Sequence, residues 1–286
     1  MLTIVLGFAT SLVYGFADFF GALASRKLNA MLVTLVSGFS GLVFLISMTP
    51  FFGMKFDSSS IFWGALAGVI SAVAITALYA SLAIGPISIL SPLGAIMSAL
   101  VPMTFGLLFQ GESFSAVGIF ALVGIVIAVG LVGFIPGADI RLPSPKGLAL
   151  GLTAGISIGL LLICIDQAPA DSGLTPVIFL RLFSMVGIGI MLLVSLARGT
   201  RITGIGVTGK TWQATVLAGV LDSSANVLFL TAMRLGELSV VSVLTALYPL
   251  GTIVLARIFL KEKIAKVQLA GVLLALSCSA LLASGL

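Results

Sequence analysis

Apolar residues run along this chain in long, continuous stretches, broken only by short clusters of glycine, proline and charge. Ten such runs occur, near 2–23, 31–49, 61–84, 86–109, 115–134, 147–165, 174–196, 212–234, 238–259 and 267–284. A run of about 18 apolar residues or more is long enough to cross the hydrocarbon core of a bilayer as a helix. The apolar positions are contiguous rather than alternating, and lipid leaves no partner for an open backbone, so the pattern predicts helices and not a barrel. The first run carries Tyr14 and Asp18, lacks a basic start and is followed by nine runs like it, so it reads as a span rather than a secretory leader. The longest connection, "IPGADIRLPSPKG" at 135–147, leaves no room for a soluble domain.

Composition agrees with the pattern. Apolar residues make up 60% of the 286 and charged ones 8%, and the mean hydropathy is +1.31, outside the range of soluble domains. The expected fold is an all-α integral membrane protein with ten transmembrane helices, multi-pass in the cell membrane, with the bilayer as its first partner. The net charge of +5 comes from basic residues between spans, which read as topology signals and not as a nucleic-acid surface. Histidine is absent, which removes the imidazole base, the usual pH switch and the commonest metal ligand. Cys164 and Cys278 fall within spans and read as small apolar residues. No cofactor, no metal and no enzymatic activity are expected, and no Walker motif is present to couple the chain to ATP.

The chain also repeats itself. "GVISAVAITALYASLAIGPISILS", 68–91, lies over "GVLDSSANVLFLTAMRLGELSVVS", 219–242, without a gap, pairing Gly68 with Gly219, Gly85 with Gly236, Ser88 with Ser239 and Ser91 with Ser242. Glu112 in "QGESFS" answers Glu262 in "LKEKIA" one residue out of step. A separate local likeness sets "SALVP", 98–102, against "TALYP", 245–249. The expected division is a first five-helix repeat at 1–135, a linker at 136–146 and a second repeat at 147–286. An odd number of spans per repeat makes the second enter the membrane from the opposite side, and inverted repeats around a midplane site are the architecture of many secondary transporters.

Between Gly219 and Glu262 the chain writes G-x-x-D, AN, A-x-x-x-G-x-L-S-V-V, L-x-x-L-Y-P, A-R and L-x-x-E, and at 179–183 it writes "FLRLF". This pattern resembles the EamA-like family of the drug/metabolite transporter superfamily. The first copy is degenerate: no arginine in "LVTLVSGFSG", 32–41, answers Arg181. The resemblance implies ten helices in two inverted halves, movement of a small metabolite and no cofactor.

The candidate site follows from the few polar residues deep in the spans. Asp222 and Asn226 are spaced i, i+4 on one helix face, as are Tyr14 and Asp18, with Ser11 and Ser25 extending that stripe. Intramembrane carboxylates face water, pair with a cation or stay protonated, and Arg181 is a comparably deep cation. Asp18, Arg181 and Asp222 are expected to border a central cavity, with Tyr14 and Asn226 offering hydrogen bonds to a small-molecule substrate. The plainer alternative is an ion pair between Arg181 and one aspartate that only holds helices together. Coupling to protons stands beside facilitated exchange, and a non-transporting scaffold or lipid-binding protein stands as the rival function. Pro92, Pro102 and Pro249 are hinge candidates, since proline interrupts a helix. Gly124 with Ala128 and Gly271 with Ala275 read as close packing, with a homodimer contact beside the monomer as the other use. Of the 14 basic residues, ten lie in odd-numbered connections and only Lys55 and Arg234 in even-numbered ones, a count that favours cytoplasmic odd connections with both termini outside, whereas the family resemblance implies both termini inside.

Overall fold

A computed structural model describes residues 1–84, 87–134, 143–199, 207–259 and 265–285. Among these, eleven α-helices follow one another: α1 (Leu2–Ser25), α2 (Ala30–Phe52), α3 (Ser58–Ile84), α4 (Ile87–Phe109), α5 (Ala116–Gly133), α6 (Pro145–Asp166), α7 (Thr175–Ala197), α8 (Gly209–Met233), α9 (Leu238–Thr245), α10 (Pro249–Phe259) and α11 (Lys266–Gly285). Eight spans among the described residues are long and apolar enough to cross a membrane, α9 and α10 counting together as one. Two shorter apolar stretches, Leu93–Phe109 of α4 and Lys266–Leu282 of α11, bring the number to ten. The fold is that of a ten-span helical membrane protein.

Starts and stops are local chemistry. Asn29, Ser115 and Ser144 each accept a backbone N–H of the first turn of α2, α5 and α6, satisfying one orphan donor apiece. Of the expected linker at 136–146, residues up to 142 lie outside the described residues, and α6 already begins at Pro145.

The helices pack in pairs that map onto each other when the first five spans are exchanged with the last five. α1 lies along α8 as α6 lies along α3, α2 crosses α8 as α7 crosses α3, and α4 meets α6 as α9 and α10 meet α1. Three pairings, α2 with α7, α4 with α9 and α5 with α11, map onto themselves. The matched glycines sit at matched crossings: a methyl group on Gly68 would strike the α7 backbone at Leu180 and Ser184, and one on Gly219 would strike the α2 backbone at Ser37. The helices approach closely because nothing projects there. Gly124, Ala128, Gly271 and Ala275 are used in the same way within the chain. Ala128 and Ala275 are fully buried, Gly124 faces Cys278 and Gly271 faces Val132 along the α5–α11 seam.

One departure from the exchange is visible. The ninth span breaks at Ala246–Tyr248 into α9 and α10, whereas its counterpart α4 is continuous.

Candidate functional site

Asp222 lies near the middle of the 25-residue α8, the deepest position a span offers. A lone carboxylate there is costly, and the fold supplies its partner from α7. The Arg181 guanidinium donates to Asp222 Oδ2 and, at 3.1 Å, to Ser223 Oγ. Asn226, one turn along α8, donates its amide to the Asp222 backbone carbonyl at 2.8 Å and to Oδ2 at 3.3 Å. Asn226 is buried, and both hydrogen bonds of its amide go to Asp222. Gly38 on α2 leaves room for Met185, and the Arg181 stem lies just beyond it. Its Nε is buried with no hydrogen-bond partner among the described residues.

Asp18 comes from α1, which runs along α8. Thr3 donates to Leu235 O at 3.0 Å and Gly21 stands opposite Ala218, so this antiparallel register sets Asp18 beside Asp222. The two carboxylates lie within electrostatic range of each other, Tyr14 within range of Asp18, Asp222 and Arg181, and Tyr248 within range of Asp18. Asp18 is nonetheless exposed, and the Asp222 side chain is 34% exposed, against 12% for Arg181. Both carboxylates thus keep accessible surface at mid-span depth. The structure therefore brings Asp18, Tyr14, Arg181, Asp222 and Asn226 into one cluster and adds Ser223 and Tyr248. Ser11 stays out of it: fully buried, it donates to Phe8 O of its own helix at 2.7 Å.

The proline candidates divide. Pro249 opens α10 directly after the break, whereas α4 passes through Pro102 without interruption. The side chains of Pro92, Tyr79 and Arg257 are outside the described residues.

The two ends of the bundle differ. On the face of the even-numbered connections, Glu112 accepts from Leu238 N at 2.6 Å and Ser239 N at 3.1 Å, and Ser239 Oγ donates to Met103 O at 3.1 Å. Arg234 donates to Gly173 O at 2.6 Å. Lys55 N donates to Thr175 Oγ1 at 3.1 Å, and Lys55 Nζ pairs with Asp171 at 2.5 Å. The Asp171 carboxyl is held below its ordinary range by the hydrogen bond and charge of Lys55, and the Lys55 amine is raised by the same pairing. Burial, and then the charge of Glu112, push the Glu237 carboxyl up. Toward the opposite face, Ser40 Oγ donates to Val216 O at 3.1 Å, Thr252 Oγ1 to Gly15 O at 3.1 Å and Gln268 Nε2 to Val132 O at 3.5 Å. Among the described residues the even-numbered connections are thus tied to one another and to α9 by hydrogen bonds and an ion pair.

A deep ion pair in a ten-span bundle of exchanged halves invites comparison with known proteins. Residues 145–284 match the model of the EamA-like transporter family. The second part of the chain is therefore similar to the EamA-like transporter family. Arg181, Asp222 and Asn226 all fall within the matched EamA-like segment, and Asp18 and Tyr14 fall outside it. A protein crystal structure superimposes on the chain with a TM-score of 0.75 over 98% of this chain and 95% of its own, at 14% identity, a likeness of fold. No curated protein sequence matches. The chain is thus a multi-pass membrane protein whose residues 145–284 match an EamA-like transporter.

Proposed function

We propose that the chain is a secondary transporter that moves a small polar or amphipathic metabolite, such as an amino acid, a nucleoside or a drug-like molecule, by alternating access. One observation carries the reading. Asp18 is exposed within the bundle beside a half-exposed Asp222, and α1 and α8, the helices that bear them, belong to halves whose contacts exchange. A wet polar cluster has no use in a bundle that only holds itself together, because an apolar core of the same shape is at least as stable. In this reading Asp18 and Tyr14 contact the cargo, Arg181 neutralises Asp222, Asn226 fixes the Asp222 carboxylate, and the two five-helix halves rock about the cavity. The odd-numbered connections, rich in basic residues, lie in the cytoplasm in this reading.

The test is a thermal-shift screen of the purified chain against amino acids, nucleosides and cationic drugs, since a ligand stabilises in proportion to its occupancy. The expected result is a class of compound that raises the Tm of the wild-type chain and loses this effect in Asp18→Asn. Stabilisation by no class, or equal stabilisation of the variant, would remove the cavity from the function. Proteoliposomes with and without an imposed pH gradient then separate proton-coupled movement from facilitated exchange.

A further inference from the structure

We propose that α9 is the gate of the even face, latched by Glu112 at its N-terminus and hinged at Ala246–Pro249. The inference rests on the alternating-access reading and goes beyond it by naming the moving part. All eight residues of α9 are buried. The first four N–H groups of a helix have no partner inside it. Two of those of α9, on Leu238 and Ser239, are held by Glu112, which comes from the connection between α4 and α5 in the other half. The carboxylate also complements the positive end of the helix dipole. Gly106 makes the arrangement fit, because a methyl group there would strike the Glu112 carboxylate and Ser239 Oγ.

At its other end α9 stops in a turn, where Tyr248 N donates to Thr245 O at 3.1 Å, and Pro249 restarts the chain as α10. Proline has no N–H to bridge the two segments and is suited to the first helical position. A short rigid helix is thus held at one end by a foreign carboxylate and joined at the other by a break.

Two observations identify the break as a switch rather than a fixed bend. "TALYP" at 245–249 is broken, while the similar "SALVP" at 98–102 runs straight through α4. One local pattern therefore supports both shapes, the mark of two packings that differ little in energy. Thr245 Oγ1 at the hinge is buried with no hydrogen-bond partner among the described residues. Buried polar groups in native proteins are rarely left so, and opening of the gate would hydrate this one.

The experiment reads thiol accessibility in the purified full chain. Thr245→Cys places a reporter at the hinge, Asp18→Cys places one in the open cavity, and the buried native Cys164 and Cys278 report on loosening of the whole fold. Labelling by a polar thiol reagent is followed peptide by peptide by mass spectrometry, with Glu112 intact, with Glu112→Gln and with Gly106→Ala as an independent way to displace the latch. Either latch variant should raise the labelling rate at position 245 about tenfold, a shift of about 1.4 kcal/mol in the closing equilibrium. Labelling at position 18 should fall and the native cysteines should stay protected. No rise at 245 would overturn the latch and leave the transporter reading intact. An equal rise at Cys164 would overturn it as well, by showing general loosening. A rise at 245 with no fall at 18 would keep the latch and remove alternating access.

Discussion

Replacing Arg181 with alanine strips the cation from Asp222 and leaves a carboxylate near the middle of α8. Removing one partner of a fully buried pair costs about 3–5 kcal/mol. The Arg181 side chain is 12% exposed but Asp222 keeps 34% of its surface accessible, so part of the charge is rehydrated. Screening of this kind reduces the expected loss to about 2–3 kcal/mol. At about 2–4 °C per kcal/mol for a chain of this length, Tm should fall by about 4–12 °C. Arg181→Ala combined with Asp222→Ala removes the stranded anion as well, and what is left to lose is the packing of the arginine stem against Gly38 and its bond to Ser223. The double variant should therefore melt above Arg181→Ala alone. A thiol-reactive dye reports unfolding in detergent through Cys164 and Cys278, which are buried in the folded chain. A double variant that melts at the sum of the two single losses would refute the coupling.

Asp222→Asn keeps the shape and removes the charge, so it should abolish or uncouple transport in proteoliposomes, with some fall in Tm because the Arg181 cation loses its partner; undiminished uptake with the same pH dependence would take Asp222 out of the mechanism. Gly219→Ala and Gly68→Ala should each destabilise by about 1–3 kcal/mol through collision with the neighbouring helix backbone, seen as a fall in Tm that Gly199→Ala, in open space, would show only through its positive φ of 84°. The Glu237 carboxyl has a raised pKa in the folded chain, so its stabilising protonated form is fully present below the ordinary carboxylate value and is lost as pH rises through the raised one; Glu237→Gln should flatten that part of a Tm-against-pH curve. Single cysteines at Ser144 and Ser113, in an odd and an even connection, should be protected and labelled respectively when intact cells meet an impermeant thiol reagent, and the reverse pattern would invert the topology.

The spans were legible because lipid demands long apolar runs and nothing in the packing overrides that demand. Asp222 and Asn226 were legible as one helix face from their spacing alone. Which aspartate Arg181 would meet was not, since that depends on how α7 and α8 are rotated against each other, and Ser223 beside Asp222 carried no signal of its own. Glu112 read as the polar end of a span because its partners are backbone N–H groups more than a hundred residues away. The break in the ninth span had a signal in Pro249, but Pro102 carries the same signal in a helix that stays straight.

Gly38 facing Arg181 has a consequence for the cargo. These residues stand on α2 and α7, a pair of helices that the exchange of halves maps onto itself. A cation on both would set two like charges against each other, so the degenerate first copy is what allows the second to carry one at all. A cleft with equal walls would accept a molecule in either of two opposed poses, and each pose would compete with the other. In the proposed transporter, the Arg181–Asp222 pair on one side and bare backbone on the facing one would give a dipolar guest a head end and a tail end before it arrives.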